Sequence, residues 1–400
     1  MTESPPSRPS TCHAALVGHT QIIRLSAQAN VPARGLASTA GRMLANGQSA
    51  QHYDRDDIIW TMVRASSAAH GWCMKIDAHV LEDGLTAYDP LSLGIEPLGY
   101  VLVDFTTYTS DPGDLAARSA AWLSRLPCPC LALTAEPVAL AAFDIVVDSR
   151  SELARVEAAL SANPVASTVL MQALRIIETI DVHSGLVVES LAYATLQHGE
   201  EFQRWLANRP PPSLRAPPNA MPPIAIARRG SEQDIVLNRP EVRNEIDVEM
   251  RDALFEAFSQ AALDEDLAQI HVRGAGDSFS IGGALHEFGQ IGSAATAHLI
   301  RTERLPARML AQHGHRYHFH LHGACVGAGV EMAAFAGKVT AAPNTFFRLP
   351  EVSMGLIPGA GGCVSISRRI GRQRAAWMMT TGARVSVRTA LNWGLVDAIV

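Results

Sequence analysis

Four hundred residues, 48% hydrophobic and 18% charged, describe a globular protein with room for two or three domains. The formal net charge of −6 speaks against a nucleic-acid partner, and no apolar run is long enough to span a bilayer. The six cysteines (Cys12, Cys73, Cys128, Cys130, Cys325 and Cys363) fit no zinc spacing and read as buried thiols of a reducing compartment. MTESPPSRPSTCHAALVGH at the N-terminus has no basic stretch followed by an apolar run, so a cytoplasmic protein without a signal peptide is expected.

Residues 1–95 read as an N-terminal extension without a cluster of catalytic residue types. Its first dozen residues are rich in Pro and Ser and are expected to be disordered. Ile58, Ile59 and Trp60 with Met62 and Val63 suggest a short helix, and Gly71 to Met74 a turn leading into a buried strand. Gly99–Phe105, Cys130–Leu133 and Phe143–Val147 read as strands, with a helix over Leu115–Leu126 ended by Pro127. This alternation predicts an α/β layout. From Ser151 to Leu206, apolar residues recur at threes and fours, a helical pattern that Gly185 interrupts. Residues 210–223, framed by Pro210–Pro212 and Pro222–Pro223, form a proline-rich linker.

Beyond the linker, Ile224–Ala227 and Asp234–Leu237 predict a hairpin around Gly230. Val248–Leu263 is an amphipathic helix and Ile270–Val272 a strand. Tyr317 to His322 alternates so that His318, His320 and His322 share one face. With His313 and His315 upstream, a metal site is conceivable. The preferred reading is hydrogen-bonded histidines at a domain contact and no metal, with a structural hydrogen bond for His322. Gly327-Ala328-Gly329 is a small-residue turn ahead of the apolar helical stretch Val330–Ala336, which carries Glu331. A helix starting near Ala328 would aim unpaired N–H groups at whatever lies in that turn. Glu351 follows Pro350 and precedes the glycine-rich run Gly355–Gly362.

These blocks resemble the signature of the crotonase superfamily, the enoyl-CoA hydratases and isomerases. HGACVGAGVE (322–331) is similar to the family's N-G-x-A-x-G-G-G-x-E. Pro350-Glu351 and IPGAGG (357–362) match its later blocks, and Asn238 to Asn244 resembles the N-R-P-x-x-x-N segment near the coenzyme A adenine. Gly276 to Leu285 resembles F-x-A-G-x-D-L, with Ala284 where relatives usually carry Asp. The resemblance implies an α/β crotonase fold, a spiral of ββα units, over 224–400, here with an N-terminal α/β plus helical region. It places oxyanion-hole N–H donors on Gly283 and Ala328, proton-handling carboxylates on Glu331 and Glu351, and coenzyme A contacts on Arg243, Ile281 and Gly282.

Relatives continue past the G-L-V-D-x-V block, here Gly394 to Ile399, with helices that cover the acyl pocket. Residues 152–209 have the texture of that tail. They follow a run, Val138–Phe143, that echoes Val330–Phe335 with Ala139 in place of Glu331. Residues 96–209 therefore read as a degenerate, catalytically dead crotonase-like half that lends its helices to the live one.

Two acidic residues imply hydration of a 2-enoyl-CoA. In that pattern both hold a water; one draws its proton as the oxygen adds to Cβ, and the other helps protonate Cα. The alternatives are an isomerase, a cofactor-free dioxygenase acting on an aryl-acyl-CoA, and an inactive assembly partner. The resemblance implies no cofactor beyond the coenzyme A of the substrate, no nucleic-acid or membrane partner, and a homo-oligomer: trimer, hexamer or dimer. Cys325, Trp377, Met378 and Met379 are expected in the core or, for the last three, along the acyl pocket.

Overall fold

The computed structural model describes residues 13–17, 20–24, 63–67, 71–82, 86, 89–93, 95, 97–135, 140–209 and 222–400. The disordered start, the echo at Val138-Ala139, most of the linker and the helix expected over residues 58–63 lie outside them, except that Val63 is described and opens a strand, not a helix. The chain forms two compact units, divided after Leu153. Within 96–209, the strands fall in the first unit and the residues from Ala154 onward in the second.

The first unit holds a seven-stranded sheet in sequence order: β1 (His13–Val17), β2 (Thr20–Arg24), β3 (Val63–Ser67), β4 (Gly71–Asp77), β5 (Gly99–Asp104), β6 (Cys130–Leu133) and β7 (Ile145–Val147). Pairing is antiparallel from β1 to β4 and parallel from β4 to β7. Helix α1 (Pro112–Leu123) starts three residues earlier than its apolar pattern, because Asp111 caps Gly113 N and Pro112 suits the first turn. Strand β7 is shorter than expected because Phe143 N bonds Leu140 O in a turn and Asp144 accepts from Cys130 N.

In the second unit, helices α2 (Pro164–Ile177), α3 (Val182–Leu196) and α4 (Glu200–Asn208) precede the sheet-bearing part. A further helix, Arg150–Ala162, comes before α2, and the run breaks at Asn163, at 178–181, where the Asp181 side chain accepts from Ser184 N, and at 197–199, but not at Gly185. Gly185 lies inside α3, where a Cβ would stand 3.1 Å from Val364 Cγ2, so the small residue permits close helix packing.

The hairpin is β8 (Ile224–Arg229) with β9 (Glu232–Leu237). Helix α5 (Val248–Leu263) has the predicted bounds, with Leu254, Ala257, Phe258 and Ala261 buried on one face and Asp247 capping Met250 N. Then come β10 (Gln269–Gly274), α6 (Ala294–Arg304), α7 (Ala307–His313), β11 (Tyr317–Leu321), β12 (Ala324–Val326) and α8 (Ala328–Ala333). The chain continues with β13 (Lys338–Ala341), β14 (Phe346–Arg348), α9 (Gly362–Ile370), α10 (Arg372–Thr381), β15 (Val385–Ser386), α11 (Val387–Trp393) and β16 (Ala398–Ile399). The sheets run β16-β13-β11-β10-β9-β8 and β12-β14-β15. Helices α2 and α3 pack on α9, and α3 also on α6. Met378 and Met379 are fully buried, and Trp377 meets Trp393 edge-on; none of the three lines the cavity described below.

Candidate active site

Two turns are built side by side. Ser280 bridges Cys325 in parallel, with Ser280 N bonding Ala324 O and Val326 N bonding Ser280 O. The Ser280 hydroxyl donates to Asn244 O at 2.7 Å and accepts from Gly282 N at 3.1 Å. Asn244 is fully buried and ties its loop to Ala275 O and Ser278 O. Gly282 has φ +85°, and a Cβ there would lie 2.7 Å from Val326 O. Only glycine lets the 282–283 turn press on the 326–328 turn this closely.

This contact orients two backbone donors. Gly282 O and Ile246 O take the amides of Ile246 and Ala284, so Gly283 N is left over. Val330 N and Glu331 N both bond Gly327 O, leaving Ala328 N at the head of α8. Neither Gly283 N nor Ala328 N has an acceptor among the described residues. Both residues line one cavity of about 190 Å³. Helix α8 is only six residues long, shorter than the expected stretch to Ala336, so the free N–H counts for more here than a helix dipole.

Glu331 and Glu351 line the same cavity and are buried, at 2% and 9% exposure. A Cβ at Gly327 would lie 2.7 Å from Glu351 Oε1 and 3.9 Å from Glu331 Oε1, so the two carboxyls flank one point. Glu331 Oε2 accepts from Ala360 N at 2.7 Å and Gly362 N at 2.9 Å. Glu351 Oε2 is buried without a hydrogen-bond partner.

A third carboxylate, absent from the sequence reading, completes the cluster. Glu189 of α3 accepts from Gly361 N at 2.6 Å and Cys363 N at 2.8 Å. Alternate amides of residues 360–363 thus hold Glu331 and Glu189 at the free N-terminal turn of α9. Its signal in the sequence is a lone acid in the apolar run LVVESLAYA (186–194).

Burial raises the pKa of all three carboxyls. The neighbouring Glu331 charge raises Glu189 and Glu351 further, while the amide bonds pull Glu331 and Glu189 back. Glu351, with a bare buried oxygen, is the group held most firmly protonated. Tyr193 and Arg301 also line the cavity, with the guanidinium 3.9 Å from the ring centroid. Arg301 donates to Ala297 O and Gln197 Oε1 and has no ion-pair partner among the described residues.

Of the other predicted residues, Arg243 is exposed, and its carbonyl accepts from Ile281 N beside the buried Gly282; none of the three lines the cavity. Cys325 is fully buried, its thiol pushed well up by desolvation. His322 makes the structural bond expected of it, Nε2 to Gly276 O at 2.9 Å. His318 and His320 do share a face; His271 joins them, whereas His313 and His315 do not. Burial lowers His318 to about 4 and His320 to about 3.

Fold and site define an α/β protein with paired free amides and buried carboxyls around one cavity. The family described as enoyl-CoA hydratase/isomerase matches residues 230–400. A 2,3-dehydroadipyl-CoA hydratase of Escherichia coli strain K12 is 30% identical over 179 residues, 45% of this chain and 69% of that protein. Among solved structures, an enoyl-CoA hydratase from Thermoplasma volcanium is 33% identical over 45% of this chain and 72% of its own, with a TM-score of 0.41. One from Mycobacterium smegmatis is 27% identical over 45% and 70%, with a TM-score of 0.42. The chain belongs to the enoyl-CoA hydratase/isomerase (crotonase) family, which implies an acyl-CoA substrate. No helix among the described residues is long and apolar enough to cross a membrane.

Proposed function

We propose that the protein adds water reversibly to a 2-enoyl-CoA. The observation that carries this reading is the opening of two acceptor-free amides, Gly283 N and Ala328 N, onto the cavity that also holds Glu331 and Glu351. As oxygen adds to Cβ, negative charge moves onto the thioester oxygen, and fixed donors stabilise it without reorganising. Glu331 acts as the base. Its Oε2 is saturated by two amides that favour the anion, leaving Oε1 to draw a proton from water. Glu351, held protonated, delivers a proton to Cα. Two carboxyls in place of one favour hydration over isomerisation.

The helices that come before the core, α2 to α4, cover the acyl cavity in this reading. Glu189 anchors the 360–363 loop, and Tyr193 forms part of the wall. A dead crotonase-like ancestor for 96–209 accounts for their position in the chain. Arg301 lines the cavity, interacts with Glu189 at longer range and has no ion pair among the described residues, which favours an acyl group with an anionic end. A dehydroadipyl thioester has such an end.

The test follows the enoyl-thioester absorbance of crotonyl-CoA and of a dicarboxylic enoyl-CoA. Glu331→Gln and Glu351→Gln should each lose roughly 10²–10⁴-fold in kcat. Equal rates in both variants and the parent protein would overturn the assignment.

A further inference from the structure

We propose that His271, His318 and His320 form a binding site for a single zinc ion on the face of the six-stranded sheet opposite Tyr317 and Phe319. Parallel pairing sets His271 of β10 directly across from His318 of β11, and His320 follows two residues on, on the same face. Each ring offers one ligand nitrogen, and these three atoms lie within 4.8 Å of one another. His271 Nδ1 and His320 Nε2 are 2.9 Å apart. Two imidazoles on one tetrahedral zinc, each at about 2.0–2.1 Å, stand roughly 3.3 Å apart, so this pair needs little movement to share an ion.

Surrounding groups support the ligands. Thr340 Oγ1 of β13 lies 3.0 Å from His318 Nε2 and 3.4 Å from His320 Nδ1. A bond from the Nδ1–H of His320 to Thr340 would fix the tautomer that turns the Nε2 lone pair toward His271. Asp234, in register with His271 on β9, accepts from Arg273 Nε at 3.4 Å and offsets that cation; Lys338, in register with His318, is exposed. The donor set is three neutral imidazoles without thiolate or carboxylate, which suits zinc and leaves a fourth position for water. None of the three histidines lines the cavity with Glu331 and Glu351, so this site does not depend on the proposed reaction.

The test uses the full chain without an affinity tag, stripped with EDTA and titrated calorimetrically with zinc chloride. One ion per chain should bind. His271→Gln and His320→Gln should each abolish that event, and Thr340→Val should weaken it roughly 10-fold. Cobalt(II) should give a visible d–d band in the parent protein that both histidine variants lack. Circular dichroism shows whether each variant is folded, and zinc should raise the melting temperature of the parent but of neither variant. His271 and His320 are both only half-buried, so substituting them disturbs packing less than a change at the buried His318 would. Absence of saturable binding in the parent, or binding that survives in either folded histidine variant, would overturn the site.

Discussion

Gly282→Ala isolates the backbone donors from the acids. At φ +85° an alanine sits in the left-handed region, at a cost of roughly 1–2 kcal/mol. Its Cβ would meet Val326 O at 2.7 Å, a backbone atom that cannot swing aside. The 282–283 turn must therefore move off the 326–328 turn, taking Gly283 N with it. Loss of one such donor costs about 2.7–4 kcal/mol of transition-state stabilisation, a fall of roughly 10²–10³ in kcat. Glu331 and Glu351 are untouched, so the pH profile of the residual activity should keep its shape. The assay is enoyl-CoA hydration across pH, with a melting curve to confirm the fold. A folded Gly282→Ala protein within threefold of the parent rate would refute the argument that this close approach builds the site.

Other outcomes follow from the same geometry. Glu331→Gln removes the negative neighbour that raises Glu189 and Glu351, so both carboxyls should titrate at lower pH, followed by their 13C NMR signals; unmoved titrations would contradict the coupling. Glu189 also links stability to pH. Its pKa rises from 4.5 to about 8 on folding, so its contribution is full below 4.5 and is lost as pH climbs toward 8. The melting temperature of the parent should therefore fall over that window more steeply than that of Glu189→Gln. Arg301→Leu should raise KM for a dicarboxylic enoyl-CoA at least tenfold more than for crotonyl-CoA, measured by initial rates; equal changes would remove the anionic-end assignment.

The turns and the two paired acids were legible in the sequence because each lies inside one contiguous block. The spacing from Gly327 to Glu331 and the Pro350-Glu351 step are local patterns. Glu189 and Tyr193 were not legible, because they reach the site from a helix more than 170 residues before the loop that Glu189 binds. His271 stayed hidden for a related reason. Period-two alternation placed His318 and His320 together, but only the order of strands in the sheet sets β10 beside β11. The breaks at Asn163, 178–181 and 197–199 are less visible than Gly185, since glycine reads as a breaker even where it serves helix contact.

The central claim is that Gly283 N and Ala328 N bind the thioester oxygen. A crystal structure with an unreactive acyl-CoA analogue tests it most directly. That oxygen should lie about 2.7–3.1 Å from both nitrogens, with Cα and Cβ facing Glu331 and Glu351. A thioester bound with its oxygen directed away from either amide would contradict the account.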